Sequence, residues 1–323
     1  MLFSTFSLIL VSPVFCSLVS NEGRDISNLE FSISRDSNNY PTITGFFPDS
    51  DQQPRTMRIR TLGSLSDLDE DSDLRFLFYL TTADPSIDPL PVTLANPNDR
   101  YMDMSFGSDF SQTVGDMMLL PTNPGQSGTL FRMITSTTDP TRYCADAAMI
   151  LLPLRRVESR RPVFNVEVGL LTPDTNDYMS LSSAFGGYGN EGPYTERFPV
   201  ELSTELKTMK FPFSIQRAIL DAIGSEGFMV DQRYSRLESG CAEIIPRLPR
   251  IQISLIPSGE HMGNVFFEPE DYIRIDEATG ECEILIDLSH REPRDFAFGI
   301  PFFEQIGVFF DYDHGQIGLC EPL

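Results

Sequence analysis

Histidine is scarce in this chain, basic residues are outnumbered two to one, and cysteines never fall in a CxxC pair. The three histidines (His261, His290, His314) are scattered. The clustered Cys and His sets that build zinc sites are therefore missing, and no metal or other cofactor is expected. Lys and Arg total 24 against 47 Asp and Glu, a formal net charge of -23. Such a surface repels nucleic acid and anionic membranes, so neither is an expected partner. There is no GxSxG elbow, no HExxH pair and no GK[ST] ending to the Gly-rich run FGGYGNEG (185–192), so serine-hydrolase, zincin and phosphate-loop chemistries lose their usual carriers. N-x-[ST] sequons are also absent. The acidic run DLDEDSD (67–73) lacks the Gly and the distal Glu of a calcium loop and reads as a solvated segment.

What is present points to a secreted, mainly β protein. Residues 1–20 carry no charged side chain and hold the apolar core LILV, which predicts a signal peptide. No other run is long enough to span a bilayer. Removing Cys16 with the signal leaves four cysteines, Cys144, Cys241, Cys282 and Cys320, an even number that suggests two disulfides in an oxidising compartment. The expected location is extracellular or an endomembrane or vacuolar lumen. Pro (24), Gly (22) and Phe (25) are abundant and long helical patterns are few. Strands are predicted in LEFSIS, YPTITGFF, TMRIRTL, LRFLFYL, TLFRMI, Met149–Leu154, VFNVEVGLL and IQISLI. ADPSIDPLPVTLANPNDR reads as a Pro-rich connection. YMDMSFGSDFSQTVGDMMLL reads as a hairpin turning at Gly107-Ser108-Asp109.

The stretch Leu202–Gly224, LSTELKTMKFPFSIQRAILDAIG, reads as a strand, a tight connection and a short amphipathic helix. Alternation runs from Leu202 to Lys207, Ser214 is the N-cap candidate, and Ile215, Ile219, Leu220 and Ile223 share one helical face.

The C-terminal run FGIPFFEQIGVFFDYDHGQIGL resembles the closing segment of pepsin-like aspartic peptidases, in which an apolar-apolar-Gly loop, a short helix and two strands follow one another. CAEIIPRLPRI from Cys241 and VFFEPEDYIRI up to Cys282 resemble upstream segments of the same family. SGTLFRMITSTTDPTRY with MILLPLRR resembles its bridge between lobes. The resemblance covers residues 130–320 almost without gaps and implies a two-lobed, mainly β acid-protease fold. Residues 24–146 would form a shortened N-terminal lobe and 147–323 the C-terminal lobe. It also implies a Cys241–Cys282 disulfide, and Cys144 and Cys320 are expected to pair. In the first lobe, Phe106, Gly107, Ser108 and Asp109 stand where the flap hairpin would be.

The family's reaction needs two Asp-Thr/Ser-Gly turns, whose carboxylates share a proton and activate water. No DTG or DSG triplet occurs here. Alignment to the family pattern puts Ser203 at one acid position and Arg60 or Thr61 at the other. Glu205 and Asp221 are the only nearby substitutes, and one carboxylate is not a dyad. The expected protein is a monomeric pseudoprotease that binds a peptide or protein between its lobes. The alternatives are an acid endopeptidase with displaced carboxylates and a structural or surface protein without ligand.

Overall fold

The computed structural model describes residues 28–48, 53–60, 76–94, 101–104, 108–122, 129–135, 137, 139–154, 163–172, 197–225, 230–231, 236–237, 241–256, 263–275, 281–288 and 296–323. The predicted signal peptide, Thr61, Phe106, Gly107, His261 and His290 lie outside them. The protein is mainly β with several sheets.

The first half contributes β1 (Glu30–Arg35), β2 (Pro41–Phe46), β3 (Arg55–Arg60), β4 (Phe76–Leu80), β5 (Leu90–Leu94), β6 (Tyr101–Asp103), α1 (Asp109–Val114), β7 (Met117–Pro121) and β8 (Thr129–Thr135). Next come β9 (Ile150–Pro153), β10 (Val163–Leu171), β11 (Phe198–Leu202) and α2 (Phe213–Ser225). Two short strands, β12 (Val230–Asp231) and β13 (Arg236–Leu237), lead to α3 (Cys241–Ile244) and β14 (Arg250–Leu255). Then follow β15 (Gly263–Phe267), α4 (Pro269–Tyr272), β16 (Ile273–Ile275) and β17 (Cys282–Ile284). The chain closes with β18 (Ala297–Phe298), α5 (Ile300–Phe303), β19 (Gly307–Asp311) and β20 (Gln316–Cys320).

The largest sheet runs β5-β4-β2-β1-β8-β7-β19-β20-β9, with β3 paired to β2 and β6 to β3. A second sheet runs β15-β14-β10-β11-β18 and a third β12-β13-β17-β16. The central strands explain the apolar runs of the sequence. Met117–Leu120 in β7 and all of β19 are buried, because both faces of the sheet are covered there. Met118, Leu120, Ile134 and Phe309 pack on one face with Cys144 and Cys320. Met117, Leu119, Val308 and Phe310 join the main core on the other. Cys144 and Cys320 form the expected disulfide and close a separation of 176 residues. On the loop-entropy model such a closure contributes on the order of 5 kcal/mol. Cys282 is also disulfide-bonded, whereas the Cys241 side chain lies outside the described residues.

One succession of pairings occurs twice. In the first half β2 and β3 are antiparallel, β3 then pairs parallel with β6, and α1, β7 and β8 follow. In the second half β10 and β11 are antiparallel, β11 pairs parallel with β18, and α5, β19 and β20 follow. The two successions meet where β7 pairs with β19.

Several expectations need correction. The run 101–120 is not a hairpin: after β6 the chain enters α1, where the Ser108 hydroxyl accepts from the Ser111 amide at 3.2 Å as N-cap. Ser108 and Asp109 therefore open a helix rather than tip a flap. A Gly-Ser-Asp triplet suits both jobs, and burial of Phe110 and Val114 against the core selects the helix. The Pro-rich connection holds a strand, β5, against β4. Alternation from 202 to 207 does not extend the strand, since β11 ends at Leu202 and residues 203–208 form a turn. Helix α2 starts at Phe213, so Ser214 lies inside its first turn rather than capping it.

Candidate functional site

The repeated topology brings the ends of two strands side by side. Strand β3 ends at Arg60, and β11 ends one residue before Ser203. Each strand end is anchored to its parallel neighbour: the Met104 amide donates to the Arg60 carbonyl at 2.8 Å, and the Ser203 amide to the Phe298 carbonyl at 2.9 Å. The Thr204 hydroxyl donates to the Ile59 carbonyl at 2.9 Å and ties the turn after β11 directly to the end of β3. Thr204 is fully buried, so this bond is shielded from water.

The turn after β11 is tightly held. Ser203 is fully buried, and its Oγ accepts from the Glu205 amide at 3.3 Å. The Ile300 amide donates to the Leu206 carbonyl at 2.8 Å. Gly299 is required at this crossing, because a Cβ there would lie 2.3 Å from the Thr208 carbonyl oxygen and 2.5 Å from that of Leu206. Phenylalanines fill the space beneath: Phe298 stacks on Phe302 at 4.3 Å, and Phe211 lies 4.9 Å from Phe296.

The end of β3 is cationic. Arg58 and Arg60 alternate with the buried Met57 and Ile59 along β3 and so share its other face. Arg58 donates to Asp36 at 2.7 Å and lies over the Tyr40 ring at 4.3 Å. Burial pushes the Asp36 carboxyl up, but the Tyr40 amide, Arg58 and the Asn38 amide outweigh it and hold the group below the usual carboxylate value. Lys207 reaches the same Tyr40 ring from the turn after β11, at 4.8 Å. The Arg60 guanidinium lies over the Tyr101 ring at 5.1 Å, and its Nε is buried without a hydrogen-bond partner.

The sequence-selected residues thus divide. Ser203, Glu205 and Arg60 come together around the Thr204–Ile59 bond. Asp221 does not: it lies on the exposed side of α2, paired with Arg217 at 3.0 Å one helical turn away. It is a surface ion-pair residue, remote from the Thr204–Ile59 bond as a member of the helix face that points to solvent. Ser108 and Asp109 belong to α1. His314, the one histidine among the described residues, is exposed at the β19–β20 turn and bonds Asp311, so it cannot serve as a base for Ser203. Among the described residues no group of three or more His, Cys, Asp or Glu has metal-binding geometry.

Chemically, Ser203 supplies a hydroxyl already engaged with an amide, Arg60 supplies a cation, and Glu205 supplies a single carboxylate. Among the described residues, two acids sharing a proton are not assembled here. The sequence pointed to Ser203 and Arg60 but missed Thr204 and Gly299. The one detectable signal was the recurrence of FGSDF (106–110) and FGIPF (298–302), each leading into a short helix and a central strand. A groove of about 460 Å³ lined by Glu30, Arg132, Tyr143 and Leu323, among others, lies elsewhere and includes none of Arg60, Ser203, Thr204 and Glu205.

A scan against protein-family models returns no match for the chain, and no curated protein matches it either.

Proposed function

We propose that the protein is a pepsin-like aspartic peptidase homologue that has lost its catalytic dyad and binds a peptide or protein between its two lobes. The observation that carries this reading is the Thr204–Ile59 hydrogen bond. It lies at the junction of two topologically equivalent strand ends, which is where the resemblance would put the acids, and it favours Arg60 over Thr61 as the counterpart of Ser203. With Ser and Arg at those positions neither can share a proton with a second acid, and each lost acid or base role removes roughly 10²- to 10⁴-fold in rate. Glu205 would act alone.

The reading includes passage through an oxidising compartment, supported by the Cys144–Cys320 disulfide. No helix among the described residues is long and apolar enough to cross a membrane.

The deciding experiment incubates the purified protein with denatured globin between about pH 3 and 5, where a shared-proton dyad operates. The expected result is no cleavage above background. Cleavage sensitive to pepstatin would overturn the pseudoprotease reading.

A further inference from the structure

The chain carries a large excess of acid, -23 in formal charge, yet the face of β3 that reaches the turn after β11 is lined with cations. Arg58 and Arg60 share that face, and Lys207 arrives from that turn. Arg58 already has its counter-ion in Asp36 at 2.7 Å. Arg60 differs: among the described residues it has no acidic partner. Its Nε is buried with no acceptor, and its guanidinium is held against the Tyr101 ring. Stacking on an aromatic ring fixes the guanidinium plane in advance. That suits a planar anion, which accepts two parallel N–H bonds from the outer end of a guanidinium, while the occluded Nε takes no part.

We propose that the site takes a peptide carboxylate, bound by the Arg60 guanidinium beside the Thr204–Ile59 junction. This rests on the peptide-binding reading above and specifies its ligand. The carboxylate is either a peptide's free C-terminus or an Asp or Glu side chain. In both cases the ligand's negative charge occupies a position where the family resemblance would put one of the protein's own.

Four fluorescently labelled octapeptide pools separate these sources. All are randomised over neutral residues: one ends in a free acid, one in an amide, one amide carries a central Glu, and one amide carries Gln at the same place. Fluorescence polarisation against the intact protein is expected to show at least roughly tenfold tighter binding for one acidic pool over its neutral counterpart, the scale of one good charge-assisted pair. Arg60→Gln is expected to abolish that preference while neutral pools still bind. Preference for the free acid identifies a C-terminus, and preference for Glu identifies a side chain. Equal binding of all four pools overturns the carboxylate proposal and leaves peptide binding standing. Absence of binding by every pool overturns both. If Arg60→Gln fails to fold, the comparison of pools on the unaltered protein decides alone.

Discussion

The Thr204 hydroxyl and the Ile59 carbonyl are 145 positions apart in sequence and 2.9 Å apart in space. Replacing Thr204 with Val keeps the shape and removes the donor, which leaves a buried carbonyl short of a partner. The expected loss is about 1–3 kcal/mol in urea unfolding. Thr204→Ser, which keeps the hydroxyl, is expected to lose less. Equal stability of Thr204→Val and the parent would show that the junction does not depend on this bond.

Gly299 tests the same region from below. Its φ of -92° is ordinary, so the constraint is space rather than backbone conformation. Gly299→Ala would drive a methyl group into two backbone oxygens, and backbone cannot rotate aside as a flexible side chain can. Overpacking of this kind costs about 1–3 kcal/mol, readable as a lower denaturation midpoint. Gly224→Ala, inside helix α2 with nothing within 4 Å of the added atom, is the matched control and is expected to leave the denaturation midpoint unchanged or higher, since Ala favours a helix over Gly.

The β19–β20 turn predicts a pH dependence with a definite sign. His314 Nδ1 lies 2.8 Å from Asp311 Oδ1, and the hydrogen bond and charge of that carboxylate raise the imidazole above its ordinary value of 6.5. A group raised in the folded state stabilises most when protonated, below the unfolded value, and the gain is lost as pH climbs through the folded one. Neighbouring Asp116 is raised as well, by burial first and then by the charge of Asp311. Its carboxylate also accepts from the Tyr312 amide at 2.8 Å and the Asp313 amide at 3.4 Å. Thermal scans should therefore show the parent losing its advantage over His314→Gln from about pH 6.5 upward. A constant difference from pH 6 to 8 would contradict the coupling.

Strands with unbroken or alternating apolar residues were legible in the sequence because burial on one or both faces leaves a local periodicity. VFNVEVGLL emerges as β10 over the predicted residues. Ser108 was misread because turn and helix N-cap call for the same side chains, and only the distant core decides between them. The structure joins the neighbours of Ser203 and Arg60 through the Thr204–Ile59 bond. Local pattern alone could not find it, since nothing near either residue encodes a partner 143 positions away. The cation clusters on Tyr40 and Tyr101 were invisible for the same reason.

The place of β19 and β20 in the largest sheet has a consequence for the order of assembly. Strand β7 is complete once residue 121 has been made, but its second neighbour is β19, at residues 307–311. Until that segment is synthesised, an all-apolar edge in the first half has nothing to pair with, and β9 waits likewise for β20. The nascent chain must therefore carry sticky, half-built sheet edges through most of its synthesis. Such edges are open to pairing with other chains until residues 307–320 arrive.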